Sequence, residues 1–348
     1  MSSKVREKGE KVRHFLLERI AVGDNDVVAA ASTKFDITRQ ATHKHLARLQ
    51  IQGAIVCEGS SRVPLYRLAP LSSVNFSYAR DGTLAEDLVW SSAIKPALEP
   101  LPDNVLNIWN HGFTEMFNNA IDHSDATTIE VVIRKTALNT EIMISDDGVG
   151  IFKKIQAQFK LLDERHAIFE LSKGKLTTDP RNHSGEGIFF TSRMFDSFGI
   201  LSGGLFFDHK RSGHDDWLVG RELSAQGTAV FMELNNHTAR TSKKIFDEFS
   251  SGDDYEFSKT IVPVSLAKYG TDELVSRSQA KRLLARVDLF KTVVFDFENV
   301  SVIGQAFADQ IFRVFANEHP DIQLLDVGTN AAVDAMIRRA RRARTEGA

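Results

Sequence analysis

The sequence predicts an α+β protein built from several domains. The chain has 348 residues, which is more than one average domain. Its apolar periodicity is first helical, then a mixture of helices and alternating strands, then a regular strand–helix–strand–helix order. Apolar residues make up 42% and charged residues 26%. These fractions are ordinary for globular proteins and exclude a disordered or collagen-like chain.

The charge is distributed unevenly along the chain. Residues 1–70 contain 12 Lys and Arg against 7 Asp and Glu, a net charge of +5, whereas the whole chain carries −3. This predicts an anionic partner for the first segment. The single cysteine, Cys57, excludes an intramolecular disulfide and fits a reducing, cytoplasmic location. No stretch approaches the roughly 20 apolar residues that span a bilayer, so we expect no membrane partner.

Residues 1–70 are expected to form three helices and a hairpin. Helical apolar spacing predicts a first helix over 5–21. Asn25 or Asp26 is expected to cap a second helix, VVAAASTKF. The stretch Asp36-Ile37-Thr38 is expected to cap a third, RQATHKHLARLQIQG, which ends at Gly53. Two β-like runs, AIVCEG and PLYRLA, complete the segment.

This order of elements resembles a winged helix-turn-helix, which implies DNA binding through the third helix. Its polar side chains are of the types that read base edges or hold phosphates. The predicted DNA-contacting residues are Thr38, Arg39, Gln40, Thr42, His43, Lys44 and Arg48 on this helix and Arg62 at the hairpin tip. The alternative is a dimerisation or protein-docking module with the same elements.

A linker is expected over 71–104, with one helix near 86–94 and three prolines at its end. The helix NVLNIWNHGFTEMFNNAIDHS and the strands TIEVVIRK and EIMISDDG follow. A long irregular stretch is expected over 151–184. After it, Gly185-Glu186-Gly187 opens a helix, IFFTSRMFDSFG, and GTAVFMEL predicts a later strand.

Polar residues in these elements suggest a ligand site. Glu115, Asn119 and Asp122 share one face of the predicted helix. The Asn119 amide oxygen suits Mg²⁺ near phosphates, and Glu115 one turn away is able to orient water or accept a proton. Asp146 ends a strand, where its carboxylate is able to accept a hydrogen bond from an adenine amine.

Glycines accompany these polar groups. Gly148 and Gly150 follow Asp146 and permit close approach of the backbone to a base. Gly185 and Gly187 expose backbone N–H groups at the start of a helix, where an anion binds favourably. The order E-x-x-x-N, D-x-G-x-G after a strand and G-x-G before a helix is more specific than any of the three alone.

TEMFNNAIDHS resembles the N box of the GHKL ATPases, SDDGVGI the G1 box and SGEGIFFTSRMF the G2 box, and Gln226-Gly227-Thr228 matches the late GT element. The resemblance implies that Asn119 ligands Mg²⁺, that Glu115 is the candidate general base and that Asp146 holds the adenine amino group. The segment between the G1 and G2 boxes resembles an ATP lid, whose lysines are expected to reach the γ-phosphate. The expected ATP-binding residues are Asn119, Asp122, Asp146, Gly148, Gly150, Lys173, Lys175, Gly185, Gly187 and Thr228.

The last segment predicts a small α/β unit. TVVFDFENV reads as a buried strand, followed by a helix, the strand IQLLDVG and the helix AAVDAMIRRARRAR; this order favours a parallel or mixed sheet. FDFENVSVIGQAFADQIF resembles the strand–turn–helix of STAS-like anti-sigma-factor antagonists. Gly304-Gln305 stands where that family has a phosphorylated serine, and Ser301 is the nearest hydroxyl.

We therefore expect a winged helix in residues 1–70, a linker in 71–104, a GHKL (Bergerat) α/β sandwich in 105–240 and a small STAS-like α/β domain in 255–348. The leading functional hypothesis is a DNA-binding transcriptional or signalling regulator in which Mg-ATP controls the flanking domains. The alternatives are an anti-sigma-type serine/threonine kinase, acting on a STAS-like partner or on itself, and a conformational ATPase. A protein partner for the STAS-like domain and a homodimer are further expectations.

Overall fold

The computed structural model has helices first, a large antiparallel sheet in the middle and a small parallel sheet last. The residues that it describes are 3–60, 63–176, 185–210, 217–220, 226–251, 256–267 and 273–345. The chain is an α+β multidomain protein, as the sequence predicts. Within the described ranges, no helix is long and apolar enough to cross a membrane.

The first unit contains three helices and a two-stranded antiparallel hairpin. Its elements are α1 (Ser3–Ala21), α2 (Val27–Phe35), α3 (Arg39–Ile51), β1 (Ile55–Ser60) and β2 (Val63–Leu68). The Asp26 side chain accepts a hydrogen bond from Ala29 N at 3.1 Å, and Thr38 accepts one from Ala41 N at 3.2 Å. These two predicted helix caps are therefore confirmed. Buried aliphatic side chains from the three helices and β1 form a second hydrophobic cluster, which also includes Leu138 from the central part of the chain.

A seven-stranded antiparallel sheet forms the middle of the molecule. Its strands are β3 (Ser72–Ala79), β4 (Thr128–Lys135), β5 (Asn139–Asp146), β6 (Ser197–Ser202), β7 (Leu205–Lys210), β8 (Trp217–Gly220) and β9 (Thr228–Asn235). Their order across the sheet is β3-β4-β5-β9-β6-β7-β8. Buried Ile129, Val131 and Ile133 alternate with less buried residues along β4, as in a sheet with one face packed on a core. The strands predicted at TIEVVIRK, EIMISDDG and GTAVFMEL are confirmed as β4, β5 and β9.

Helices pack on this buried face and on one another. They are α4 (Glu86–Val89), a π-helical turn (Trp90–Ile94), α5 (Lys95–Leu98), α6 (Asp103–His123), α7 (Ile151–Phe159), α8 (Glu164–Lys173), α9 (Gly187–Met194) and α10 (Ser242–Phe249). The longest is α6, whose Trp109, Phe113 and Phe117 are fully buried. Because α6 is apolar on this side, its opposite side is left to carry the polar residues described below.

Two stretches differ from the sequence-based expectation. The described part of 151–184 is not irregular, because it contains α7 and α8. The Asp163 side chain starts α8 by accepting hydrogen bonds from the backbone N–H groups of Arg165 and His166 at 3.0 and 3.2 Å. The helix expected over IFFTSRMFDSFG ends at Met194, since its last residues pair with β9 as the start of β6.

Residues 71–104 do not form the expected linker. β3 pairs with β4 along its whole length, and the helical stretch after it buries Trp90, Ile94 and Leu98 in the core shared with α6. The stretch SSVNFSYA has a burial pattern with a period of two residues, which is a strand signal that the nearby prolines concealed. This segment is therefore part of the central unit.

A three-stranded parallel sheet, in the order β12-β13-β14, organises the last unit. Two short strands, β10 (Ser250–Ser251) and β11 (Glu256–Phe257), precede it. Its own elements are β12 (Lys259–Pro263), a 3₁₀ turn (Val264–Ala267), α11 (Arg277–Leu284), a 3₁₀ turn (Val287–Leu289), β13 (Thr292–Asp296), α12 (Gln305–Asp309), a π-helical turn (Gln310–Phe315), α13 (Ala316–Glu318), β14 (Gln323–Val327) and α14 (Ala331–Thr345). The predicted strand–helix–strand–helix order is confirmed, and β12 is a strand that the sequence did not reveal. The buried residues of this unit belong to the same continuous core as those of the central unit.

Candidate functional site

A cleft lies between α6, the ends of β5 and β9, and the start of α9. Its cavity volume is about 250 Å³, close to the lower end of the roughly 300–1,000 Å³ range of small-molecule sites. The predicted site residues that line it are Glu115, Asn119, Asp146, Gly185, Gly187 and Thr228. Segments far apart in the sequence therefore meet at one cavity, which is the arrangement that the three motifs require.

The α6 side of the cleft differs from the expectation at one position. Glu115, Asn119 and His123 line the cavity, whereas Asp122 is exposed and lies outside the cavity lining. Successive residues on a helix are about 100° apart, so His123 is about 40° from Asn119 and Asp122 about 60° on the other side. The prediction of Asp122 as a cleft residue is therefore wrong, and His123 occupies the cleft in its place.

Asp146 is held firmly at the end of β5. Its Oδ1 accepts hydrogen bonds from Gly148 N at 2.9 Å and from Thr228 N at 3.3 Å. Burial raises the pKa of the Asp146 carboxyl, while these two hydrogen bonds act in the opposite direction. Oδ2 receives no hydrogen bond from any described residue, so one acceptor atom of a half-buried carboxyl remains for a donor within the cleft.

Thr228 connects two elements of the site. It is paired with Asp146 across β9 and β5, and its hydroxyl oxygen accepts a hydrogen bond from Ile151 N at 3.0 Å. Thr228, expected in the ATP site, thus lies beside Asp146. The side chain fixes the start of α7 relative to the sheet, and its backbone N–H fixes the carboxylate.

Gly148 and Gly150 shape the turn after β5 and lie outside the cavity lining. A Cβ on Gly148 would overlap the Ser124 carbonyl oxygen at the end of α6, and Val149 N donates a hydrogen bond to that same oxygen at 2.9 Å. Gly150 has φ +93°, a conformation that side chains disfavour. These two glycines thus allow the turn to pack against α6.

Gly185 and Gly187 bring backbone close to α6 and to the 171–176 segment. A Cβ on Gly187 would overlap the Glu115 carboxylate. Gly185 has φ +74°, and its carbonyl accepts a hydrogen bond from Leu176 N at 3.2 Å. The start of α9 adjoins the same cavity, where the helix dipole favours an anion.

The two lysines expected to reach a phosphate lie elsewhere. Lys173 is 1% exposed, and its Nζ donates to Glu170 Oε1 and to Ala285 O, each at 2.7 Å. Lys175 Nζ donates to Leu289 O at 3.1 Å. Both therefore face the last unit. The prediction is wrong for Lys173 and Lys175, because sequence position between two motifs does not reveal which side of a segment faces the cleft.

Other lining residues were not predicted. Lys154 on α7 lines the cleft, and its Nζ donates to His123 O and to Asp125 Oδ2, each at 2.7 Å. The apolar lining residues are Met116, Ala120, Ile144, Ile151, Ile155, Leu171, Leu176, Ile188, Ile200 and Val230. They have the spacing of ordinary core residues, so periodicity alone does not distinguish them.

The exposed face of α3 carries the predicted DNA-contacting residues. Those with exposed side chains are Thr38, Arg39, Gln40, His43, Lys44 and Arg48. Thr42 is a correction: it is fully buried, and its hydroxyl lies 3.0 Å from Ser32 Oγ. It packs α3 against α2 and is not available to a base edge. Arg62 lies outside the described residues.

Comparison with known proteins identifies one region of the chain. Residues 279–334 match the model of a family described as a STAS-like domain of unknown function (DUF4325). A search among curated proteins finds none that matches. The STAS-like character expected for the last unit is therefore confirmed over the matched residues.

Proposed function

We propose that this chain is an ATP-binding regulator in which a GHKL-type central domain controls a DNA-binding winged helix and a STAS-like domain. The observation that carries the proposal is the convergence of Asn119, Asp146 and Gly187 on one cavity. Three sequence motifs, each weak alone, would have no reason to meet at one cleft if they were ordinary helix, turn and loop residues.

The residues present fit Mg-ATP. Asp146 offers a free Oδ2 to an amine of the base, and the start of α9 offers backbone N–H groups to phosphate oxygens. No group of three or more His, Cys, Asp or Glu is placed to hold a metal in the described part of the chain. Asn119 would thus be a lone protein ligand, which suits Mg²⁺ because this ion usually retains water and phosphate ligands. Bound Mg-ATP would supply an activated γ-phosphoryl group.

The domain assignments are part of the same proposal. Residues 1–70 would be a winged helix-turn-helix, with α3 entering the major groove. Residues 105–240, together with β3 and the helices after it, would be the GHKL domain. Residues 255–348 would be the STAS-like domain and a site for a protein partner. Homodimer formation and a cytoplasmic location stay predictions.

The position of Glu115 favours hydrolysis of the bound ATP. Its side chain lines the cleft one turn from Asn119 and directly beside Gly187. A carboxylate next to the proposed phosphate position is able to orient water or accept its proton. Under this form of the proposal the chain is a conformational ATPase as well as a regulator.

One experiment tests the proposal and separates its forms. Calorimetric titration of the full-length chain with Mg-ATP, followed by turnover and mass analysis, is expected to show binding. Glu115→Gln is expected to retain binding and lose turnover, and phosphate found on a Ser or Thr would favour the kinase alternative. If no binding of Mg-ATP occurs at millimolar nucleotide, the proposal is wrong.

The DNA part of the proposal has its own measurement. The full-length chain is titrated into duplex DNA from upstream of its own gene and into unrelated duplex, with and without Mg-ATP. We expect preference for the former and a change in affinity on adding nucleotide. Equal affinity for both duplexes under both conditions would contradict the DNA-binding role and leave the proposed ATP binding intact.

A further inference from the structure

The two sides of the segment from Leu171 to Leu176 contact different parts of the molecule. Leu171 and Leu176 line the cleft. Lys173 and Lys175, between them, make their contacts with the last unit. A short stretch of backbone therefore touches the candidate nucleotide site on one side and the STAS-like unit on the other.

Besides the bond from Lys175 Nζ to Leu289 O, further hydrogen bonds tie this segment to the last unit. Lys173 Nζ donates to Ala285 O at 2.7 Å. In the opposite direction, the Thr260 hydroxyl on β12 donates to Lys173 O at 2.6 Å. Arg286 donates a hydrogen bond to Lys175 O. We call this set of contacts between 170–175 and the last unit the junction.

Buried charge makes the junction sensitive to its geometry. Lys173 and Glu170 form an ion pair of 2.7 Å with side chains 1% and 7% exposed. Glu170 Oε2 has no hydrogen-bond partner among the described residues, and Arg286 Nε lies 3.8 Å from it. Buried charges are costly when a partner is lost. Arg286 therefore places a second cation beside Glu170 from the last unit.

Aromatic packing continues the junction to α9. Gly174 has φ +85°, and a Cβ there would lie 2.8 Å from the Phe257 ring. Phe257 packs on Phe189 of α9 and on Phe290, at centroid distances of 4.6 and 5.2 Å. Phe257 thus packs α9, whose first residues line the cleft, against the last unit. The last unit also holds the 171–176 segment.

We propose that the STAS-like unit sets the nucleotide affinity of the central cleft by holding the 171–176 segment through the junction. Arg286 is the positioning residue, because it forms an ion pair with Glu170 and donates a hydrogen bond to the Lys175 carbonyl. The inference rests on the proposed ATP binding. A partner that displaces residues 285–289 would change nucleotide affinity, and nucleotide would change the affinity for that partner by the same factor.

The test uses the full-length chain and Mg-ATP. Arg286→Ala is expected to weaken Mg-ATP binding in calorimetry by roughly 5- to 150-fold, the usual range of coupling between sites, because Leu171 and Leu176 lose their fixed position. Arg286→Lys, which keeps the charge, is expected to recover part of this loss. Thr260→Val removes one hydroxyl and keeps a side chain of similar shape. It is expected to weaken Mg-ATP binding less than Arg286→Ala does. Arg277→Ala, an exposed arginine of the same unit, is the matched control and should bind as the wild type.

Hydrogen exchange separates coupling from general destabilisation. In the wild type, saturating Mg-ATP is expected to slow amide exchange in residues 285–290, and in Arg286→Ala this response should be lost. Wild-type affinity in both Arg286→Ala and Thr260→Val would overturn the inference while leaving ATP binding intact. Failure of the wild type to bind Mg-ATP would overturn the proposed function and this inference with it.

Discussion

The cleft and the exposed face of α3 are both rich in polar side chains, but the chain builds them in different ways. The cleft brings together residues of α6, β5, α9 and β9, which are far apart in the sequence. The α3 face consists of neighbours on one helix. Convergence of separated residues is an observation that a random arrangement would not produce, whereas neighbours on a helix face solvent together in most surface helices.

The two regions also differ in how tightly they are constrained. Around the cleft, side chains added at Gly148, Gly185 or Gly187 would overlap other atoms. On α3, the Arg39 side chain is 71% exposed and its nearest carboxylate oxygen lies 3.9 Å away. Substitutions in the cleft should therefore alter packing and binding together, and substitutions on α3 should alter binding alone. The predictions below test this difference.

The largest effect is expected at Gly187. Gly187→Ala would place a methyl group into the Glu115 carboxylate, and overpacking of this kind costs roughly 1–3 kcal/mol. We expect Mg-ATP affinity to fall by up to roughly two orders of magnitude in calorimetry, since about 1.4 kcal/mol corresponds to tenfold.

Gly9→Ala provides the matched control. Gly9 is also helical, and a Cβ there would meet its nearest atom at an ordinary 3.4 Å, so this variant should bind Mg-ATP as the wild type does. Undiminished binding by Gly187→Ala would mean that the start of α9 is not part of the nucleotide site.

A smaller effect is expected at the end of β5. Asp146→Asn removes the negative charge and leaves one acceptor oxygen, which the Gly148 and Thr228 N–H groups already occupy. Hydrogen bonds to charged groups contribute about 1.5–3 kcal/mol, so Mg-ATP affinity should fall at least about tenfold. Selectivity for adenine over guanine nucleotides should fall with it, as competition binding would measure.

Asp147→Asn is the adjacent control. Asp147 is exposed and bonds the backbone of Thr127 and Thr128 outside the cleft. The Asp147→Asn variant should therefore retain the wild-type affinity for Mg-ATP. If the two variants lose affinity equally, the carboxylate of Asp146 has no special role in binding the base.

The sequence predicted the cleft better than it predicted its surroundings. Asn119, Asp146 and Gly187 belong to motifs in which charge, backbone freedom and position are all visible in the sequence, and they meet as expected. Lys173 and Lys175 were misplaced because their orientation depends on Ala285 and Leu289, more than 100 residues away. Contacts of that range leave no periodic signal in the sequence.

The same reason explains the errors in the fold. The strand β3 pairs with β4 along its whole length, and its short alternating pattern near prolines is a weak strand signal without that partner. The helices α1 to α3 were predicted correctly because their caps and apolar spacing are local. Thr42 is the exception there: its spacing puts it on the buried side, but its hydroxyl suggested a surface role.

On α3, the expected effects are smaller and purely electrostatic. Arg39→Ala combined with Arg48→Ala removes two exposed cations. We expect the slope of log affinity against log salt for a random 30-base-pair duplex to fall by about 2, one per phosphate contact. Thermal stability should stay within about 0.5 kcal/mol, as is usual for surface substitutions.

Lys8→Ala combined with Lys11→Ala removes the same charge from α1, where both side chains are exposed, and should leave the slope nearly unchanged. Equal slopes for the two double variants would show that DNA binding depends only on the net charge of this unit. In that case α3 would not be the DNA-contacting element.

The smallest effect concerns acid stability at the margin of the cleft. Hydrogen bonds from Thr127 and Thr128 lower the pKa of Asp147 from 3.8 to about 2. A carboxyl with a lowered folded-state pKa contributes stability above its unfolded pKa, and this contribution is lost as the pH falls from about 3.8 to about 2. Thermal unfolding between these pH values should therefore depend less on pH in Asp147→Asn than in the wild type. Thr127→Val, which removes the hydroxyl donor, should show part of the same change. Parallel curves for all three proteins would mean that the turn after β5 is not held to β4 by this carboxylate.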